Sequence, residues 1–179
     1  MDIKVGTYGG TLINISHMTP ADVSLGDIAW TLSGINRFNG RSDPLYTVAE
    51  HCIALSRVVP PQLALAALIH DAAEAYIGDV ITPVKLAFPG ISKLENGILL
   101  AICECFLVDP LLLNDVKWWD WHMCRTEAQQ IMGDPDWAKD PSVPYLDWTI
   151  VPYENRHAIC DAYLDRFSEL SKRESVCLK

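Results

Sequence analysis

An all-α fold with a small N-terminal β-hairpin is the architecture this sequence predicts, and three observations predict it. Only the first fifteen residues place a turn dipeptide, Gly9-Gly10, between two short runs of strand character. From Ser24 onward, apolar residues recur at helical spacing between Ser or Thr starts and Gly or Pro stops. One segment, Pro61 to Ile77, is Ala- and Leu-rich on nearly every side, as a helix buried at the centre of a bundle should be. Half of the 179 residues are apolar, which suffices for the core of a single domain over 1–179.

The hairpin, residues 1–15, should pair Lys4–Tyr8 with Thr11–Ile15 through a two-residue type I′ turn. Ser24 then caps a short helix that Gly34 stops. The polar segment 35–43 reads as a loop. Thr47 and Glu50 have capping-box spacing and open a helix to about Val59, although Asp43-Pro44 could start it a turn earlier. Pro60-Pro61 breaks that helix and starts the central one, which Gly78 ends. Ser92 and Glu95 open the next, closed near Asp109-Pro110, and another spans roughly 114–132. Residues 134–152 are rich in Asp and Pro without periodicity, a long irregular loop of a kind often tied to function. A C-terminal helix over 153–172 carries Ile159, Tyr163, Phe167 and Leu170 on one face.

Composition excludes several classes. No apolar run approaches the length of a membrane span, and the N-terminus shows no signal-peptide pattern, so a cytoplasmic protein is expected. The six cysteines (52, 103, 105, 124, 160, 177) contain no CxxC pair and read as reduced core thiols. A net charge of −9, from 14 basic and 23 acidic residues, argues against duplex nucleic acid as a partner. It leaves room for a small anionic substrate if a metal or a few cations converge locally.

The most apolar helix contains three ionisable residues, His70, Asp71 and Glu74, in the run ALIHDAAEAY. Helical spacing puts them on one face, and burying them is costly unless they are paired or bind a metal. Imidazole with carboxylate suits divalent ions, and further ligands must come from neighbouring helices. The preceding helix offers His51 among apolar neighbours, and the later one offers Asp120 among three tryptophans.

In order and spacing, His51, His70-Asp71 and Asp120 resemble the signature of the HD-domain metal-dependent phosphohydrolases. The stretch HDAAEAYIGDVITPVK is similar to the HDxxE…GD…TPVK pattern of the bacterial 5′-deoxynucleotidases and of phage-type relatives that include dATP triphosphohydrolases. DIAWTLSGINRFNG followed by YTVAEH extends the likeness, which covers roughly residues 7–132. The resemblance implies a compact HD-domain helical bundle. It also implies that His51, His70, Asp71 and Asp120 hold one divalent ion (Co, Mn, Zn, Ni or Fe), with additional Mg for a triphosphate substrate. Glu74 matches the catalytic acid, Arg37 the phosphate-contacting arginine and Asp79 the residue that approaches the sugar 3′-hydroxyl. Phe38 stands where relatives often have Trp, as a flat surface beside base and sugar. Lys85 matches a second phosphate contact. His122 and His157 match nothing and read as structural.

The implied activity is hydrolysis of 2′-deoxynucleotides, mono- or triphosphate, with dATP or a related purine deoxynucleotide favoured and a homo-oligomer expected. Hydrolysis needs the phosphate charge neutralised and a water ionised, and a divalent ion does both. Hydrolysis of a signalling nucleotide is an alternative, as is a non-catalytic metal-containing nucleotide sensor. Asp79 and Arg37 argue against the first and Glu74 against the second.

Overall fold

A computed structural model describes residues 2–142 and 144–177, with side chains described to Lys172. Two antiparallel strands, β1 (Lys4–Gly6) and β2 (Leu12–Asn14), precede eight α-helices: α1 (Leu25–Leu32), α2 (Val48–Val58), α3 (Ala64–Ile69), α4 (Glu74–Ile77), α5 (Thr82–Ala87), α6 (Pro89–Phe106), α7 (Leu112–Ile131) and α8 (Arg156–Cys177). Short 3₁₀ turns link them at Ile15–His17, Pro20–Asp22, Arg37–Gly40, Pro61–Leu63 and Asp136–Ala138. The chain is mostly helical with one small sheet, as an all-α fold requires.

The hairpin register pairs Lys4 with Asn14, Val5 with Ile13 and Gly6 with Leu12. Its turn is wider than expected. Thr7 N donates to Thr11 O at 2.8 Å and Gly10 N to Thr7 O at 3.0 Å, and Gly10 alone takes a positive φ of 83°. A three-residue loop with glycine in the left-handed position replaces the type I′ turn. The reason lies in α1: Asp27 Oδ1 accepts from Gly9 N at 2.6 Å and holds that residue in the loop.

Helix α1 starts as read, with Ser24 Oγ accepting from Asp27 N at 3.2 Å. Gly34 follows for a reason of space. A Cβ there would lie 2.7 Å from the Arg156 guanidinium, which reaches in to bond Trp30 O at 2.6 Å. Helix α2 opens on the expected capping box, Thr47 N to Glu50 Oε2 at 2.8 Å and Glu50 N to Thr47 Oγ1 at 3.3 Å. Asp43-Pro44 lies outside it.

The central segment differs most from expectation. It is not one helix over 61–77, because α3 ends at Ile69 and α4 begins at Glu74. Between them, Ala72 donates to Ile69 O and Glu74 to Asp71 O, the tighter i to i−3 pattern, and Ala75 and Tyr76 continue it. The His70 imidazole meanwhile bonds Ala67 O at 2.8 Å, so a side chain competes for the helix's own carbonyls at the break. All of α3 is buried, and the hydrogen-bond pattern tightens where the chain passes from apolar core to polar site.

Two further differences follow. TPVKLA forms its own helix, α5, started by Pro83 in its first turn, and α6 starts at Pro89 rather than at Ser92. Glu95 is no cap there and instead bonds Lys85. The described residues of the long segment 134–152 are irregular as expected apart from one 3₁₀ turn, but they are fastened along α7. Thr126 Oγ1 accepts from Leu146 N at 2.8 Å, and the Gln130 amide bonds both Trp148 O and Ile150 N.

One buried apolar cluster runs from Ile13 to Leu170. Helix α3 sits inside it, packed on α2, α7 and α8. Tyr163 of α8 bonds Leu68 O at 2.9 Å and ties the last helix to the central one. The described cysteines, 52, 103, 105, 124 and 160, are free; the Cys177 side chain lies outside the described residues. Among the described residues no helix is long and apolar enough to cross a membrane.

Candidate metal centre

Three elements bring the sequence-derived ligands together. His51 projects from the buried middle of α2, His70 and Asp71 from the break after α3, and Asp120 from α7. The two histidine Nε2 atoms face each other at 3.4 Å. Asp120 Oδ1 lies 3.1 Å from His51 Nε2 and 3.7 Å from His70 Nε2. Asp71 Oδ2 lies 3.1 Å from His70 Nε2 and 3.9 Å from His51 Nε2. His51, His70 and Asp120 thus offer donor atoms all within 4.8 Å of one another.

Each imidazole is oriented from behind. His51 Nδ1 bonds Glu127 Oε1 at 2.7 Å, and His70 Nδ1 bonds Ala67 O. An ionised carboxylate and a carbonyl only accept, so Nδ1 of each ring carries the hydrogen and both Nε2 lone pairs point into the same space. Two lone pairs face to face beside two carboxylates suit a shared cation. Ligands about 2.1 Å from a common ion are about 3.0 Å apart at a right angle and about 3.4 Å at the tetrahedral angle. The observed separations, 3.1–3.9 Å, begin near those values and extend beyond them, and the donor set suits a divalent ion of the borderline class.

In the absence of an ion, protons balance the cluster. Burial lowers the basicity of His70, but Asp71, Cys52 and Asp120 together outweigh it and hold the imidazole well above its ordinary range. Burial opposes the charge on Asp71 too, and His70 overcomes it, holding that carboxyl down at about 2. Asp120 is likewise far below its usual range, its burial outweighed by bonds to both histidines. Cys52 also approaches His70, but on the Nδ1 side at 3.9 Å, and burial pushes its thiol up to about 11. Cys52, His70 and Asp71 nevertheless offer donor atoms within 4.8 Å of one another, a second grouping beside the His51, His70 and Asp120 set.

The remaining sequence-derived residues surround this core. Arg37 is buried, with Nε 3.1 Å from Glu127 Oε2 and Nη1 3.6 Å from Asp71 Oδ2. Glu74 is 3 % exposed; its Oε1 lies 3.5 Å from Lys85 Nζ, and its Oε2 is buried without a partner. Burial, then Asp71 and Asp79, push the Glu74 carboxyl well above its ordinary value against the pull of Lys85 and Arg37. Asp79 follows Gly78, whose φ of 82° turns the chain out of α4. Its carboxyl is raised by burial and offset chiefly by Arg37. Lys85 is occupied by Glu95 at 2.6 Å, so its ammonium fixes the α5–α6 corner beside Glu74 rather than standing open. Phe38 packs at the outer side of Arg37, the guanidinium 5.4 Å from its ring centre. His122 bonds Trp118 O within its own helix, and His157 packs edge-on against Trp30, both away from the cluster.

Sequence reasoning missed Glu127. Completely buried, it links His51 to Arg37 and so couples the donor cluster to the neighbouring cation. The signal was its spacing: it lies seven residues after Asp120, two helical turns along the same face of α7.

Fold and site together define a mostly helical protein with a partly buried His-His-Asp cluster that could hold a metal ion. The chain is 31 % identical over 171 residues to "Uncharacterized protein YfdR" of Escherichia coli (strain K12), the alignment covering 94 % of this chain and 96 % of the relative. Over 138 residues it is 33 % identical to "Uncharacterized protein RCAP_rcc00048" of Rhodobacter capsulatus, covering 69 % of this chain and 70 % of that one. The chain belongs to the family of YfdR. No protein-family model matches it.

Proposed function

We propose that this protein is a metal-dependent phosphohydrolase of the HD-domain type that acts on 2′-deoxynucleotides. The observation that carries the reading is the convergence of His51, His70 and Asp120 donor atoms beside a buried, partnerless Glu74 oxygen. His51, His70, Asp71 and Asp120 would hold one divalent ion, which supplies Lewis-acid neutralisation of phosphate charge and a nucleophile at neutral pH.

The protein's own residues do the rest. Arg37, anchored by Glu127, presents cationic charge next to Asp71 and binds a phosphate oxygen. Glu74 keeps its proton by burial, and Oε2 can donate it to the leaving oxygen. Lys85 and Glu95 brace that carboxyl from the other side. Asp79, at the exit of α4, accepts a hydrogen bond from a sugar hydroxyl and thereby selects for the sugar.

A substrate panel tests this directly. Purified protein is loaded with Co²⁺, Mn²⁺ or Zn²⁺ and offered each deoxy- and ribonucleotide as mono- and triphosphate, with products identified by chromatography. Release of phosphate or triphosphate from deoxynucleotides in preference to ribonucleotides is expected. Metal-loaded protein inert to every member of the panel would contradict the reading.

A further inference from the structure

Trp137 stands out because its side chain and its backbone are treated oppositely. The indole is 53 % exposed, on a segment with no other large exposed aromatic beside it until Tyr145. The backbone on its C-terminal side is held to α7. Ala138 is fully buried, and its carbonyl accepts from Nε of Arg125. Nη2 of the same guanidinium reaches Asp140 O at 2.9 Å. Arg125 is itself 1 % exposed, one and a half turns beyond the ligand Asp120 on α7. A buried arginine spent on two loop carbonyls holds the 3₁₀ turn against α7 and fixes where the indole stands. An exposed apolar ring on a fixed backbone is a surface for something to pack on.

What lies next to it sets the chemistry. The Phe38 ring centre is 6.4 Å from that of Trp137, the planes 45° apart. Phe38 and Asn39 both hold left-handed backbone, φ 55° and 52°, which residues with a Cβ adopt only at a cost. Arg37, immediately before, lies against the Phe38 ring on one side and within 3.6 Å of Asp71 on the other. Exposure rises from buried Arg37, which adjoins Asp71 of the donor cluster, through half-buried Phe38 to exposed Trp137. An anionic group bound at Arg37 therefore has two aromatic rings outward of it.

The geometry points to Trp137 as the outer stacking surface of a subsite for the flat heteroaromatic ring of a phosphate-bearing substrate. Arg125 and the turn at Asp136–Ala138 set its position. This rests on the reading of Arg37 as the phosphate contact. It gives the base of the proposed deoxynucleotide its place in the structure, since a bare sugar phosphate has nothing to put on the indole. Segment 134–152, distant in sequence from the ligands, thereby becomes part of the site.

The experiment compares wild type, Trp137→Ala and Trp137→Phe as metal-loaded full chains. Turnover of 2′-deoxyadenosine 5′-monophosphate and of 2-deoxyribose 5-phosphate is measured alongside calorimetric binding of 2′-deoxyadenosine, which has no bond to hydrolyse. Trp137→Ala should raise KM for the nucleotide and weaken nucleoside binding by roughly 10- to 100-fold, the worth of one base–aromatic stack. It should leave kcat and the sugar phosphate unaffected. Trp137→Phe should restore binding to within about threefold, because a ring is retained. Equal losses for nucleotide and sugar phosphate, or nucleoside binding unchanged in Trp137→Ala, would overturn the inference. If wild type hydrolysed neither ester, the proposed activity would be judged on the full nucleotide panel, and nucleoside binding alone would still decide for or against Trp137.

Discussion

The inner and outer halves of the site are built on different rules. In the inner half every donor atom has a partner that fixes it: Glu127 behind His51, the Ala67 carbonyl behind His70, the imidazoles beside Asp71 and Asp120. In the outer half, Glu74 Oε2 is buried with no partner and the Trp137 indole is held out toward solvent. A rigid, satisfied set is what a permanently bound ion needs. Leaving polar atoms short of partners costs stability and is tolerated where a transient ligand completes them. On the proposed reading, the contrast separates residues that hold an ion from residues that meet the substrate.

Removing an inner donor should have the largest effect. His51→Ala and Asp120→Ala should each lose most of the bound divalent ion, measured by elemental analysis, with activity and the metal-induced rise in Tm lost together. Metal content equal to wild type in both variants would erase the distinction between the two halves.

Glu74→Gln probes the outer half and should behave oppositely. Metal is retained while turnover falls about 10²- to 10⁴-fold, the usual contribution of a positioned acid or base. Stability should move the other way. A carboxyl whose folded-state pKa is raised favours the fold at low pH, and that contribution is lost as pH climbs from the ordinary value toward the raised one. Metal-free Glu74→Gln should therefore melt higher than wild type at about pH 7, with the gap closing below about pH 4, where both side chains are neutral. A variant that loses metal as His51→Ala does would move Glu74 into the inner set.

Glu127→Gln sharpens the boundary with a smaller effect. It keeps size and one acceptor, but weakens the orientation of His51 and the anchor of Arg37. Metal affinity should fall about 10- to 100-fold, as is usual for an outer partner of a ligating histidine, with partial rescue at high metal concentration. An affinity unchanged by the substitution would make Glu127 a partner of Arg37 alone.

The sequence disclosed the inner half better than the outer one, for physical reasons. Ionisable residues among alanines and leucines are conspicuous because burial penalises them, so His70, Asp71 and His51 declared themselves. Helix starts set by local side-chain bonds, at Ser24 and at Thr47 with Glu50, were equally legible. What depends on partners far along the chain was not. The break at His70, the Glu127 link 76 residues from His51 and the fastening of 134–152 to α7 arise only when helices meet. The hairpin turn was misread because Asp27 of another element, rather than the Gly-Gly pair, sets its width.

The central claim is that two imidazoles and the carboxylates of Asp71 and Asp120 share one divalent ion. X-ray absorption at the metal edge tests it most directly, on protein stripped with chelator and reloaded with Co²⁺ or Zn²⁺. The account predicts about one tightly held ion per chain with a nitrogen and oxygen shell near 2.0–2.2 Å that includes two imidazoles and no sulfur. A chain that retains no ion after reloading, or a shell lacking imidazole, would contradict it.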